Sequence, residues 1–247
     1  MSMPDDIVPA HGSDALVADM RHPDTYSGRE RLREWALTAL LIFECAILFV
    51  AVPLGAILNA QGPLLDGSVF VVMLIFALLI ISRSWGARIL ASVAVMLAVG
   101  GAAVRMASPS PITILLGHCA VIVGVTALSI VIAQVVFGPG RVTVHRIQGA
   151  IVLYLNIAVA FTSAYRLVME LAPTAFGGIP AGLSEAAAFD NVLYFSFATI
   201  TSTGYGEIFA VNPAARSLAN LEAITGQLYL AILLARLVTL HGERRRG

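Results

Sequence analysis

The stretch that decides the reading is Thr199-Ile200-Thr201-Ser202-Thr203-Gly204-Tyr205-Gly206-Glu207, rich in hydroxyls and glycine yet set between long apolar runs. Irregular backbone of this kind is tolerated at membrane depth only where protein packs it or where it lines a watery path. Just before it, Asn191–Thr199 is apolar and aromatic, with Tyr194, Phe195 and Phe197. That run is too short to cross a bilayer, which takes about 20 apolar residues in a helix, so it reads as a re-entrant helix. Ser184-Glu185 or Phe189-Asp190 can start it, since a hydroxyl or acidic side chain caps free amides at a helix N-terminus. Upstream, Pro173–Leu183 is rich in Gly and Pro and reads as an exposed turret.

Working outward, Trp35–Leu58, Arg88–Val104, Ile112–Phe137, Ile147–Leu171 and Ala214–Leu240 meet or approach the length of a span. Ser68–Ser82 is short and crosses only with a start near Leu64 or a thinned bilayer. An even count of six agrees best with the arginines, which supply all 15 basic residues. Arg29, Arg31 and Arg33 precede the first span, Arg83 and Arg88 flank the loop after the second, Arg141 and Arg146 separate the fourth and fifth, and Arg244, Arg245 and Arg246 end the chain. Arginine on alternate loops places both termini in the cytoplasm of a multi-pass cell-membrane protein. Arg105, Arg166 and Arg216 are the exceptions, single arginines near the outer ends of spans. Ser27 and Glu30 form a capping box ahead of the first span, with Trp35 as an interfacial anchor.

Composition agrees. Of 247 residues, 58% are hydrophobic and 12% charged, and mean hydropathy is +0.87, against about 25% charged in soluble domains. A formal net charge of zero gives no case for nucleic acid as a partner. Residues 1–30 are polar and read as a cytoplasmic tail without a signal-peptide core. Gly138-Pro139-Gly140 breaks the helical pattern. The expected division is therefore the tail 1–30, a four-helix membrane domain 31–137, a cytoplasmic linker 138–146 and a second membrane unit 147–247. Cys45 and Cys119 lack metal-ligand spacing and read as small buried residues.

The segment 199–207 closely resembles the signature of tetrameric potassium channels, T-x-x-T-x-G-Y-G followed by an acid. The resemblance covers Arg146 to the C-terminus. It implies an all-α integral membrane fold with six transmembrane helices per subunit, of the bacterial type without voltage-sensor charges. A re-entrant pore helix and a selectivity-filter strand would lie between helices five and six, and four copies would form a homotetramer among membrane lipids. A potassium ion must exchange its water shell for oxygens at similar distances, and Gly204 and Gly206 can take backbone angles that line carbonyls up. By the resemblance, the ion-binding filter is Ser202, Thr203, Gly204, Tyr205 and Gly206. Potassium ions, the permeant species and the only expected non-protein component, would be held by carbonyls of Ser202, Thr203, Gly204 and Tyr205 and by the Ser202 hydroxyl. Tyr205 would brace the strand against the pore helix, with Thr199, Thr201, Glu207 and Glu222 as filter support.

The chain departs from the usual pattern. Ser202 stands for Thr, Thr203 for Val or Ile, and Glu207 for Asp, while Ala198 occupies a position where some channels carry a buried Glu. In the last span, by the same alignment, Gln227, Leu230 and Leu234 face the cavity, and Leu234 and Val238 approach the gate. Gly226 is either a hinge or a point of close helix packing. Glu222 either reaches pore-helix hydroxyls behind the filter or faces the cavity. Arg236 is expected to snorkel to lipid headgroups.

The expected function is passive potassium flux with little voltage sensing, since Ile112–Phe137 contains no charged residue and so offers no gating charge. The alternatives are a weakly selective cation channel and a non-conducting scaffold that kept the pore fold. No Ser/His/Asp set, His/Glu cluster or phosphate loop supports an enzyme. Glu44 and His118 are either a pair or separately satisfied, Arg166 and Glu170 form an i,i+4 pair, and His145 and His241 are either proton sensors or ordinary interfacial histidines.

Overall fold

A computed structural model describes residues 28–58, 92–93, 96, 100, 110–138 and 144–244. Of the expected spans, Ser68–Ser82 and most of Arg88–Val104 lie outside these residues, as do residues 1–27, Arg83, Arg88, Arg105, Arg141, Arg245, Arg246, and the side chains of Trp35 and His241. The other four correspond to helices long and apolar enough to cross a membrane, at Leu37–Ile57, Ile112–Gln134, Val144–Leu171 and Pro213–Arg236.

The first rod is α1 (Gly28–Ala46), a π-helical turn (Ile47–Ala51) and α2 (Val52–Ile57). Pro53 explains the turn: it has no N–H for the Phe49 carbonyl, and a wider turn absorbs the defect. Helix α3 (Pro111–Val136) opens on a reciprocal cap, where Ser110 Oγ accepts from Thr113 N and Thr113 Oγ1 accepts from Ser110 N, with Pro111 in the first turn. Helix α4 (Val144–Leu171) is the hub, packing against α1, α3, a short helix α5 (Glu185–Ile200) and the last helix, α6 (Pro213–Arg244). One apolar cluster joins α1, α3 and α4 through Leu40, Leu128, Ile132 and Val152. The tip α2 leans on α5, and Phe49 meets the Phe197 ring at 5.5 Å.

Four expectations change. The turret is not wholly exposed: Ala175 and Phe176 are buried, and β1 (Phe176–Gly177) pairs antiparallel with β2 (Phe209–Ala210). Phe176, Tyr165 and Phe195 make edge-to-face ring contacts at 5.1–5.5 Å, so an aromatic core draws the turret in. Glu44 and His118 are both buried, and neither Glu44 oxygen has a hydrogen bond among the described residues. Cys119 lies on an exposed face and Cys45 is half-buried; both are free thiols. Arg236 turns inward, with Nη2 donating to the Gly138 carbonyl at 3.0 Å and its guanidinium 5.1 Å from the Phe137 ring centroid. Arg146 donates to the same carbonyl at 2.8 Å. The end of α3 offers unsatisfied carbonyls that attract cations, which outweighs exposure to headgroups.

Candidate functional site

Of the two possible starts, α5 begins at Ser184, whose Oγ accepts from Ala187 N. Glu185 in the first turn receives Arg166 Nη2 from α4 at 2.5 Å, while Glu170 is 3.8 Å away. The expected i,i+4 pair is therefore secondary. Arg166, only 4% exposed, ties α4 to the acidic start of α5, where the helix dipole also favours a carboxylate.

The other end of α5 runs into the glycine-rich segment. Thr199 Oγ1 donates to the Phe195 carbonyl and Thr201 Oγ1 to that of Phe197, so both hydroxyls close the last turns. The backbone amides of Thr203 and Gly204 both donate to the Ala198 carbonyl, at 2.8 and 3.0 Å. Ser202, Gly204 and Gly206 have φ of 56°, 55° and 90°, and among described non-glycine residues only Ser202 is left-handed. A side chain there costs about 1–2 kcal/mol; such strain concentrates at functional sites. Gln227 Nε2 on α6 donates to Ser202 Oγ at 2.9 Å, and Thr203 Oγ1 lies 2.8 Å from Thr201 Oγ1.

The far end of the segment is held to α5 by two tyrosines. Tyr205 stacks on Tyr194 with centroids 6.0 Å apart and planes 11° from parallel, and the Tyr194 hydroxyl donates to Glu207. Beyond Glu207, the amides of Val211 and Asn212 bond to the Ala175 carbonyl of the turret.

Behind the segment, Glu222 is fully buried and does not face a cavity. Its Oε2 accepts from the Tyr165 hydroxyl and its Oε1 meets Ser196 Oγ, both at 2.5 Å. Gly226 lies flat against the end of α5: a Cβ there would sit 2.2 Å from the Ile200 carbonyl oxygen. Tyr154 donates to that same oxygen at 3.0 Å, and Tyr229 donates to the Ala150 carbonyl at 2.6 Å. Leu230, Leu234 and Val238 are exposed along α6.

Sequence reasoning did not single out Tyr154, Tyr165, Tyr194 and Ser196, nor the bond from Gln227 to Ser202. A weak signal was available: Tyr154 and Tyr165 are three helical turns apart on one face of an apolar helix, and a phenol in such a helix needs a polar partner.

Residues 150–241 match the family model described as an ion channel, a stretch that takes in most of α4, all of α5, the glycine-rich segment and most of α6. The match is to a channel family rather than an enzyme, and with the apolar helices it places the chain in a membrane. No curated protein and no solved structure matches the chain.

Proposed function

We propose, on the premise that residues 150–241 form an ion-channel domain, that this chain is one subunit of a homotetrameric, potassium-selective channel of the cell membrane with little intrinsic voltage sensing. The observation that carries this is the alternation of backbone hand along the glycine-rich segment. Ser202, Gly204 and Gly206 have positive φ, and Thr203 and Tyr205 between them do not. In an ordinary strand successive carbonyls point to opposite sides. A reversed hand at every second residue departs from that pattern and favours a ladder of oxygens of the kind a dehydrated potassium ion requires.

One chain contributes one ladder, and a ring around an ion takes several. The surface of α6 supports this: Leu221, Ile224, Leu228 and Leu234 are uncovered in the single chain, as expected of a helix that lines a shared pore and meets neighbouring copies. The last carbonyls of α5 lie beside the segment and add partial negative charge that favours a cation. Helix α3 carries no charged residue, so a field across the membrane finds no gating charge there. Leu234 and Val238, four residues apart on α6, fit a constriction that closes by dewetting.

The test is flux from potassium-loaded liposomes, with potassium, rubidium and sodium compared and Gly204→Asp as control. Potassium and rubidium flux that sodium does not replace, and that the variant abolishes, is the expected result. Equal sodium flux would replace selectivity with a weakly selective cation channel.

A further inference from the structure

Three oxygen–oxygen contacts run in a chain between α4, α5 and α6: Tyr165 Oη to Glu222 Oε2 at 2.5 Å, Glu222 Oε1 to Ser196 Oγ at 2.5 Å, and Ser196 Oγ to the Ala158 carbonyl at 2.8 Å. Each needs one hydrogen. The two hydroxyls supply two, and the carbonyl supplies none. If Glu222 is ionised, Ser196 must choose between its neighbours. Whichever it leaves, two lone-pair oxygens then face each other at hydrogen-bond distance inside the protein, where an unmade bond costs the most. If Glu222 carries a proton on Oε1, the count closes. Glu222 donates to Ser196, Ser196 donates to Ala158, and Tyr165 donates to Oε2.

The surroundings agree with this count. Glu222 is completely buried, and no basic group forms an ion pair with it among the described residues. A buried carboxylate without a counter-charge is strongly disfavoured within a membrane. Among the described residues, the elements packed most closely on α6 are α4, α5 and β2. Of these, α4 presents Tyr165 and, within electrostatic reach, Tyr154; α5 presents the non-titrating Ser196; and β2, Phe209–Ala210, presents nothing titratable. Among the described residues no cation pairs with the anion.

We propose that Glu222 is held protonated in the folded subunit and serves as a hydrogen-bond donor that locks α5 between α4 and α6. It is a positioning residue. It touches no ion, but Ser196 lies one turn before the end of α5, and the Ala198 carbonyl of that end receives the amides of Thr203 and Gly204. The consequence for flux rests on the channel reading above; the protonation state does not.

The test is infrared difference spectroscopy of the full-length protein in lipid, wild type minus Glu222→Gln. The expected signal is the C=O stretch of a protonated carboxylic acid, sensitive to deuterium exchange and absent from the variant. Glutamine can reproduce all three bonds, its amide N–H toward Ser196 and its carbonyl toward Tyr165, so it should fold and conduct like wild type. Ser196→Ala, which removes the acceptor of the Glu222 proton, should shift the same band and so reports even if the glutamine variant does not fold. At alkaline pH, wild-type flux should fall about tenfold per pH unit beyond its midpoint, while Glu222→Gln flux stays flat. Carboxylate bands in place of the acid band would overturn the proposal, as would flux kept by Glu222→Asp and lost in a folded Glu222→Gln. An acid band in a protein that conducts nothing would leave the proposal standing and remove the channel reading.

Discussion

Substituting Gly226 by alanine puts one methyl group where the structure has no space for it. The new Cβ would lie 2.2 Å from the Ile200 carbonyl oxygen, 2.7 Å from Ile200 Cγ1 and 3.0 Å from the Ile200 carbonyl carbon. An ordinary contact is about 3.4 Å or more, so α6 and the end of α5 must separate by about 1.2 Å. The obstacle is backbone, which has no alternative rotamer. Such a separation carries the Gln227–Ser202 bond from 2.9 Å to beyond hydrogen-bonding range unless the side chain follows. It also disturbs the carbonyl that Tyr154 holds at 3.0 Å. Overpacking of this kind costs about 1–3 kcal/mol, and the higher helix propensity of alanine returns about 1 kcal/mol. The net expectation is a loss of up to about 2 kcal/mol in stability, together with reduced discrimination between potassium and sodium. Thermal melting of the purified protein and liposome flux ratios report the two effects. A variant with unchanged melting and unchanged selectivity would refute the argument from close packing. A changed open probability with both of those intact would mark Gly226 as a hinge.

Replacing Arg166 by glutamine removes the partner of Glu185. Because Glu185 is half-exposed, the cost should be about 1–3 kcal/mol, below that of breaking a fully buried pair. A double-mutant cycle with Glu185→Gln checks it, and coupling under about 0.3 kcal/mol would show that the two do not interact. Tyr194→Phe keeps the stack on Tyr205 but deletes the bond to Glu207. Rubidium flux should then recover more slowly after incubation in sodium than in wild type, and identical recovery counts against that bond as a filter restraint.

The legible parts of this molecule are those set by chain-local physics. Apolar length marked the four helices that can cross a membrane, and Ser184 with Glu185 supplied one of the two starts offered for α5. The glycine spacing at 204 and 206 pointed to an unusual backbone without help from the rest of the fold. What was not legible depends on which helix faces which. Arg166 has an acid four residues away and another nineteen away, and only the packing of α5 on α4 decides between them. Arg236 near the end of an apolar helix suggests snorkelling until the end of α3 is found beside it. The left-handed Ser202 leaves no composition signal, since serine at such an angle depends on restraints from α5 and α6. The burial of Ala175 and Phe176 within the turret follows from three aromatic rings that are far apart in sequence and meet only in the folded chain.

The carbonyl of Gly138 is shared by two guanidinium groups, one at the start of α4 and one near the far end of α6. That single oxygen works as a pivot pin common to three helices. If the far end of α6 swings by more than about 1 Å relative to α3, the 3.0 Å bond from Arg236 breaks; if the bond holds, the swing drags the end of α3 along. The work of moving α6 is therefore partly set by α3, and a mechanical load on one helix reaches the other through that oxygen.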